Sequence, residues 1–517
     1  MTEEVAQIVR DSSENMVDGL DNNDSIEIDT GKGDEHKRLG GYPPLQTIVR
    51  LCPGPIISQF VNSLYGVVDS IWVSKFIGEL GLTALSLAYI IDNSALSFGF
   101  FLATAASSQI SYLFSKKLYE EISHLSIDLF RIAIIFALIV PAILLPCSMP
   151  LFKFLGGEGK VNTLALQYVL PLCALNLFTC MYHTVCGILQ AEGRTWAYAG
   201  AQILSMILNM VLLDPLLLFL IKNTSGSSLA TEFSMFIPAL IIFILLWMGK
   251  FSTKPSAKYF KKCFSREAGE SLKTGLSAFI MNISIGLPSL IMQKFIAIRA
   301  NRVNHYDMIV AVYNALCRIY NVSMCVPIAM NAAYLPAASY AFGLKDYKRI
   351  LLLTFHVVWI SVVWGLFVSF VVIVFPAQVC TIWSKNDDFL YWCKEIVPVS
   401  FYCTGITGIK FIVISFLQAS QQTITATVMS FITELGILPI VAAIFHYKGG
   451  DPNSPKLIFY AYPVSDAITT VCSISVAMRT LIKFYRLSKE KEPEKKDSTS
   501  SKSSSEEDQP SKIIPEL

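Results

Sequence analysis

Residues 51–74 read LCPGPIISQFVNSLYGVVDSIWVS, and this run decides the fold class. It is long enough to cross a bilayer, which takes a helix of about 20 predominantly apolar residues. Asp69 is its only charged side chain and the only charge between Arg50 and Lys75. Because a carboxylate at membrane depth costs about 3 kcal/mol or more, such a residue is interpreted by default as functional.

Asp214 repeats this situation, since it is the only charge between Arg194 and Lys222. With a rise of about 1.5 Å per residue, Asp69 lies about 9 Å before Lys75 and Asp214 about 12 Å before Lys222. The two acids are therefore expected at similar depth and in one shared site. Two lone acids in two spanning helices predict proton or cation handling.

The composition supports an all-α polytopic membrane protein. Of 517 residues, 53% are hydrophobic and only 15% are charged, whereas soluble domains carry about 25% charged residues. The net charge of +2 comes without a basic patch interleaved with aromatics, so we expect no nucleic-acid partner. There is no nucleotide loop and no Cys/His metal spacing, so we expect neither an enzyme, a cofactor nor a metal site.

Apolar runs separated by charged loops predict twelve transmembrane helices. The two lobes are expected at 43–249 and 271–486, joined by a basic cytoplasmic linker at 250–270. Disordered tails are expected at 1–42 and 487–517. The first of these tails is acidic and does not have the pattern of a signal peptide. The expected spans are 51–74, 82–113, 125–151, 163–189, 196–221, 229–248, 272–298, 308–341, 351–383, 396–417, 424–446 and 457–482.

Lysine and arginine in the loops predict the orientation. The connection after the sixth span is the longest and most basic, and placing it in the cytoplasm puts both termini there too. That side then carries about twenty Lys and Arg against about ten on the other. Asn223, in the triplet Asn223-Thr224-Ser225, would then be an outward glycosylation sequon.

An internal repeat links the two halves. LQAEGR at 189–194 leaves the fourth span, and LQASQQ at 417–422 leaves the tenth, 228 positions later. Duplicated halves joined by a long loop are typical of secondary transporters.

Polar residues accompany both acids. Asn62, Tyr65 and Asp69 share one helical face, and Gln202, Ser205 and Asn209 repeat that spacing on the fifth span. Desolvation and mutual repulsion disfavour the ionised form of buried acids, and a bound proton or cation relieves both. The wider set expected to line a substrate cleft is Asn62, Asp92, Asn176, Gln202, Lys410, Glu434 and Asp466.

Structural alternatives remain open for these residues. Asp69 and Asp214 could simply cap loops or hydrogen-bond between helices, and Lys410 with Glu434 could be a structural ion pair. Glu232, Arg318 and His356 are too isolated or too near span ends to interpret. Cys380 and Cys393 flank one outer loop and could form a disulfide, although sequence does not set its geometry.

Several of these segments resemble the multidrug and toxic compound extrusion (MATE) family, especially its DinF-like branch. Their order along the chain, from about residue 43 to 485, makes the match specific. They are YGVVDSIWVS at 65–74 with Ile77 and Gly78, LQAEGR at 189–194, LNMVLLDPL at 208–216, Pro336, Tyr340 and Gly343 with 345–349, and PVSD at 463–466.

The resemblance implies two six-helix lobes around a V-shaped cleft. It also implies export of organic cations driven by inward proton or sodium flow, with Asp69, Asn209 and Asp214 as the ion site and Tyr65 nearby. The family usually spaces the last two by four positions, and here they are five apart. Either a π-bulge absorbs the extra residue, or Asn209 and Asp214 do not face one site.

A second departure is Glu434, where many relatives of that family carry a basic residue. With Lys410 nearby, the second lobe could therefore use charge chemistry of its own.

The sequence therefore predicts a secondary-active antiporter that exports small amphipathic, cationic compounds in exchange for H+ or Na+, with Na+ possible at Asp69 and Asp214. We expect a monomer in contact with membrane lipids, in a plasma membrane or a vacuolar or vesicular membrane. A flippase for a lipid-linked oligosaccharide, from the same superfamily, is the first alternative. A channel or membrane receptor is the second.

Overall fold

The structure is a computed structural model that describes residues 34–284, 286–302, 306–448 and 454–503. All regular secondary structure in those ranges is helical. The α-helices are α1 Pro44–Leu51, α2 Pro53–Ile77, α3 Glu79–Ser115, α4 Tyr119–Phe154, α5 Gly159–Ala174, α6 Asn176–Ala191, α7 Thr195–Ile207, α8 Asp214–Ile221, α9 Ser225–Trp247, α10 Arg266–Ile283, α11 Gly286–Arg302, α12 Tyr306–Gly343, α13 Tyr347–Val374, α14 Pro376–Cys380, α15 Asp387–Ser400, α16 Thr404–Ala419, α17 Thr423–Ser430, α18 Ile437–Lys448, α19 Lys456–Phe459 and α20 Ala461–Ser503.

Two spans contain a turn of π-helix at their centre. The first, π1, is Leu208–Leu213 and joins α7 to α8; the second, π2, is Phe431–Gly436 and joins α17 to α18. They fall in the fifth and eleventh predicted spans, which occupy the same place in the two halves. The repeat seen in the sequence therefore extends to this irregular feature.

The spans number fewer than twelve when judged by length and apolar composition. Within the described ranges, nine helices are long and apolar enough to cross a membrane, and two bent pairs bring the number to eleven. The first predicted span, α2, is 25 residues long but is not among them. The all-α, many-span fold is thus as expected, while the number twelve stays a prediction.

The two bent pairs are the fourth and tenth predicted spans. Helices α5 and α6 meet at 52°, and α15 and α16 meet at 46°. Pro171 and Pro398 lie just before the two breaks. Proline removes a backbone donor and clashes with the carbonyl one turn earlier, which explains why each helix bends there.

Helix α3 crosses the middle of the molecule and contacts both halves. Ser108 Oγ lies 3.2 Å from Ser339 Oγ on α12, and Asn93 donates to the Asn282 carbonyl on α10 at 2.9 Å. On its other side, a Cβ placed at Gly187 of α6 would lie 2.4 Å from the Ala103 carbonyl oxygen. Close approach of this kind requires glycine, as is usual between membrane helices.

The tails, which the sequence predicts to be disordered, are described in part. Residues 34–42 pack on the bundle: Leu39 is fully buried, Arg38 donates to the Glu192 carbonyl at 2.8 Å, and Arg349 donates to the Leu39 carbonyl at 3.1 Å. At the other end, α20 continues to Ser503, and the disorder of the tails stays a prediction. Residues 1–33 and 504–517 lie outside the described residues.

Cys380 and Cys393 do not form the disulfide that the sequence left open. Both are free, buried thiols, on α14 and α15, and they hydrogen-bond to each other. The predicted linker at 250–270 ends inside α10, which begins at Arg266. It packs on α4, where Ser123 donates to the Lys254 carbonyl at 2.6 Å.

Candidate functional site

The structure brings Asp69 and Asp214 together. Asp69 lies on α2 and is 7% exposed, and Asp214 opens α8 and is fully buried. Their carboxyl groups lie within hydrogen-bond distance of each other. Two carboxyl groups in contact cannot both be ionised without strong repulsion, and a bound proton or cation relieves that repulsion.

Oxygen atoms around this pair lack donors. Asp69 Oδ1, both carboxylate oxygens of Asp214 and Asn209 Oδ1 are buried, and no N–H or O–H group in the described part of the chain reaches them. Buried polar atoms nearly always have a partner, so each unpaired one calls for an explanation. Oxygen atoms are also the ligands that hard cations take. The arrangement is therefore suited to a proton or a small cation.

The π-helix π1 accounts for the unusual spacing of Asn209 and Asp214. The Asp214 N–H donates to the Asn209 carbonyl five residues earlier, which is the π-helical pattern. In an α-helix the two side chains would point about 140° apart. The wider turn reduces that angle, and both residues are fully buried. This is the first of the two alternatives that the sequence left open.

A polar face of α9 completes the site, and it was missed in the sequence. Ser227, Thr231 and Ser234 recur at helical spacing: Ser227 lies beside Asp69, Thr231 is 3.5 Å from Asn209 Nδ2, and Ser234 is hydrogen-bonded to the Tyr65 hydroxyl. Small hydroxyl residues in an apolar span are easily taken for packing residues. Their i, i+4, i+7 periodicity was the available signal.

The other first-half candidates lie in different surroundings. Asn62 is exposed and joins no described polar cluster, whereas Gln202 is buried and donates to the Tyr198 hydroxyl at 3.3 Å. Asp92, on α3, accepts from the Tyr168 hydroxyl at 3.2 Å, and Asn176 donates to the Ala95 carbonyl at 3.4 Å. These residues are thus not gathered in one cluster.

The second-half candidates do form a cluster. Lys410 Nζ lies 3.0 Å from Glu434 Oε2, and both side chains are nearly buried. Asp466 accepts from the Thr404 hydroxyl at 3.5 Å and is close enough to Lys410 to feel its charge. Glu434 belongs to π2, so each π-helical turn lies next to a group of charged residues.

Glu232 and Asn223 lie apart from these groups of residues. Glu232 on α9, left uninterpreted in the sequence, is buried against Thr179 of α6. Asn223 lies in the short turn between α8 and α9, where its side chain accepts from the Ser225 N–H at 2.9 Å. No group of three or more His, Cys, Asp or Glu in the searched parts of the chain is arranged to hold a metal ion.

A family model and several known proteins match this chain. The MatE family model covers residues 55–216 and 274–444. The multidrug export protein MepA of Staphylococcus aureus (strain MSSA476) is 22% identical over 395 residues, which is 75% of this chain and 84% of that protein. MepA of Staphylococcus haemolyticus (strain JCSC1435) is 21% identical over 392 residues, with the same coverage.

Solved structures give the same fold. The outward-facing conformation of a multidrug resistance MATE family transporter of the MOP superfamily matches with a TM-score of 0.78 and 20% identity, over 88% of this chain and 99% of the other. A MOP superfamily transporter from Pyrococcus furiosus, described as having a binding pocket of reverse polarity that suggests a different function, matches with a TM-score of 0.78 and 19% identity over the same shares.

Proposed function

This chain belongs to the MatE family, and from that premise we propose that it exports small amphipathic, cationic compounds in exchange for an inward-moving proton or Na+. The observation that carries the proposal is the contact between Asp69 and Asp214 at depth in the first half. Both are buried, and Asp69 Oδ1 and both carboxylate oxygens of Asp214 have no hydrogen-bond donor among the described residues. Such a site is incomplete without a cation.

Exchange follows from the charge of this pair. A proton or Na+ arriving from outside lowers the negative charge of the pair by one, reduces its repulsion and lets α2, α8 and α9 pack more closely. Loss of the cation inside restores the charge and reverses the change. A cationic substrate and the coupling ion then compete for the same negative region, which makes their movements opposite.

Helix α9 is suited to transmit that change. Its hydroxyl face contacts Asp69, Asn209 and Tyr65 at three successive turns. A change in the charge or packing of the pair therefore alters contacts along the whole length of α9. We infer that this helix couples the ion site to the arrangement of the first half.

The environment of the protein is proposed from the loops and the family. We place both termini in the cytoplasm, because the connection after α9 is the most basic. We propose a multi-pass protein that acts as a monomer among membrane lipids, in the plasma membrane or a vacuolar or vesicular one. Membership of the DinF-like branch is proposed on the first-helix segment at 65–74, which holds Asp69, together with Asn209 and Asp214 of the fifth span.

Of the two alternatives, the named relatives favour neither. The proteins that match in sequence are multidrug exporters by name, and no flippase, channel or receptor is among those described above. A flippase for an anionic lipid also needs a basic cavity, whereas the charged cluster around Lys410 carries two acids for one base.

The test is cation-driven export of a cationic dye from liposomes that contain the purified protein. An imposed gradient of pH or of Na+ should drive export, and the gradient that works identifies the coupling ion. Asp69→Asn and Asp214→Asn should each abolish driven export, because either change leaves the pair without its exchangeable charge. Glu79→Gln, at an exposed acid on the next helix, is the matched control. Full driven transport by both site variants would refute the assignment.

A further inference from the structure

Glu232 is an acid buried in the first half that lies apart from the Asp69–Asp214 pair. It is 1% exposed, and both of its carboxylate oxygens lie 3.0 Å from the Thr179 hydroxyl. A hydroxyl has one proton and donates to one oxygen at a time. The Thr179 backbone N–H also contacts the carboxyl group. One threonine is thus the source of its described hydrogen bonds.

Glu232 faces a different part of the bundle from the first site. It follows Thr231, which contacts Asn209, so its side chain points about 100° away around α9. The titratable groups near it are Cys180 of α6, Cys173 of α5 and Asp92 of α3. His183 packs against Gly99 and Phe100 of α3 rather than against Glu232.

The internal repeat gives this arrangement a counterpart in the second half. A shift of 228 positions, the offset of the LQA motif, takes Asn176 to Thr404 and Thr179 to Thr407. Both threonines hydrogen-bond to Asp466 of α20, with Thr404 at 3.5 Å. Each half therefore holds an acid of its last span against threonine just after the break in its fourth span.

The two halves differ in what balances this acid. In the second half Lys410, one turn after Thr407, pairs with Glu434 at 3.0 Å, and its charge also acts on Asp466. The same shift takes Lys410 to Tyr182. The six predicted spans of the first half contain a single lysine or arginine, Arg131 of the third span, and Arg131 is paired with Asp128.

A buried carboxylate needs a compensating charge. The penalty for an unpaired buried ion is several kcal/mol, and one threonine does not offset it. In the second half the compensating cation is part of the chain. In the first half it has to come from solution.

We propose that Glu232, positioned by Thr179, is a second cation site of the first half, which takes up one proton or one Na+ from solution. This inference rests on the proposed function, because it gives the exporter a second coupling cation. Asp92 lies near both Asp69 and Glu232, so the charge on each site is felt by the other. Filling one site then changes the affinity of the other.

Infrared difference spectroscopy of the purified protein tests the site without transport. Raising the pH should remove a carbonyl band of a protonated carboxyl group, and that band should be missing in Glu232→Gln but present in Asp69→Asn. Addition of Na+ at constant pH abolishes the band if Na+ competes for the site and leaves it unchanged if the site takes protons alone. Thr179→Val should shift the band, because the carboxyl loses its hydroxyl partner, and Thr179→Ser should restore it. A spectrum of Glu232→Gln identical to wild type would overturn the proposal.

The number of cations exchanged per dye tests the link to export. At equilibrium, a tenfold concentration gradient of the coupling cation supports a concentration gradient of dye that grows about tenfold with each cation exchanged per dye molecule. At a tenfold cation gradient, Glu232→Gln should therefore lower the limiting dye gradient about tenfold, while Glu79→Gln, at an exposed acid on α3, should leave it unchanged. An unchanged limit in Glu232→Gln refutes the second coupling cation. Absence of cation-driven export in the wild-type protein refutes the proposed function instead, and the infrared result then stands alone.

Discussion

At the scale of single residues, the two halves of this protein differ in how their buried charges are compensated. Lys410 and Glu434 form an ion pair 3.0 Å long with little exposure to solvent. The pair balances most of the charge in the second half from within the chain. In the first half, Asp69 and Asp214 contact each other, and their other neighbour there is the Ser227 hydroxyl. Buried charge in the second half is thus partly compensated by a side chain of the protein, and in the first half its compensation depends on what is bound.

The ion pair predicts an asymmetric response to substitution. Lys410→Gln should destabilise the protein by roughly 3 kcal/mol, because it leaves Glu434 buried without its cation. The double variant Lys410→Leu, Glu434→Leu should recover most of that loss, since replacing a whole pair with apolar side chains costs little. Thermal unfolding of the purified protein measures both. Lys385→Gln, at an exposed lysine, is the control.

An equal loss of stability in the single and double variants would contradict this interpretation. It would show that the energy resides in the packing of the long side chains and not in the compensation of charge.

Some of these residues can be predicted from the sequence alone, and others cannot. Asp69 and Asp214 stand out because each is the only charge in its apolar run, between Arg50 and Lys75 and between Arg194 and Lys222. Glu232 was passed over because an isolated acid gives no sign of its partner, which here is a threonine 53 positions away on another helix. Ser227 and Ser234 were passed over because serine is common between packed membrane helices. A single sequence does not show which side chains on different helices contact each other.

At the scale of elements, the π-helical turn π1 determines how Asn209 and Asp214 are placed relative to each other. Five residues separate Asn209 from Asp214, and π1 widens the helix so that both are buried at one site. A π-bulge is one residue more than a regular α-helix, and bulges of this kind often occur at functional sites. The helices before and after it are therefore already in register for a chain that lacks the extra residue.

Deletion of one residue from the bulge should be tolerated for that reason. Val211 is 71% exposed, and its removal would convert π1 to α-helix and place the asparagine and the aspartate four apart. Cation-driven export should persist, within about tenfold of wild type, because the flanking helices keep their register. Deletion of Leu204, 37% exposed in the regular part of α7, should abolish export, because it rotates one flank by about 100°.

If both deletions abolish export, the extra residue is needed in its own right. If both are tolerated, the register of this helix does not position the site.

The breaks in the fourth and tenth spans could not be predicted from the sequence, for a physical reason. Pro171 and Pro398 are visible in the sequence, but membrane proline is often accommodated with only a slight bend. What makes these two consequential is the polar side chains that follow, Thr179 and Thr404, whose acid partners lie on the last span of each half. The sequence predicted the helices, while their bends depend on packing.

Over the whole molecule, the two halves are joined where α3 meets α10 and α12. Near the Ser115 end of α3, Ser108 contacts Ser339 at 3.2 Å, and Arg349 of α13 donates to the Tyr42 carbonyl at 2.8 Å. The segment before α1 is thus fixed to the second half while it also contacts Glu192 of the first. An exporter that alternates between two openings has to break contacts of this kind in each cycle.

A reversible cross-link across this contact should therefore stop export. In the double variant Ser108→Cys, Ser339→Cys the two sulfur atoms replace oxygens that lie 3.2 Å apart, which is close enough for a disulfide to form with little backbone movement. Oxidation should abolish cation-driven dye export and reduction should restore it, while each single variant keeps transport under both conditions. Because the chain has twelve other cysteines, the single variants also report any effect of oxidising those. Undiminished export by the fully cross-linked protein would mean that the halves stay together at this end throughout the cycle, and the opening for substrate would then have to form within one half.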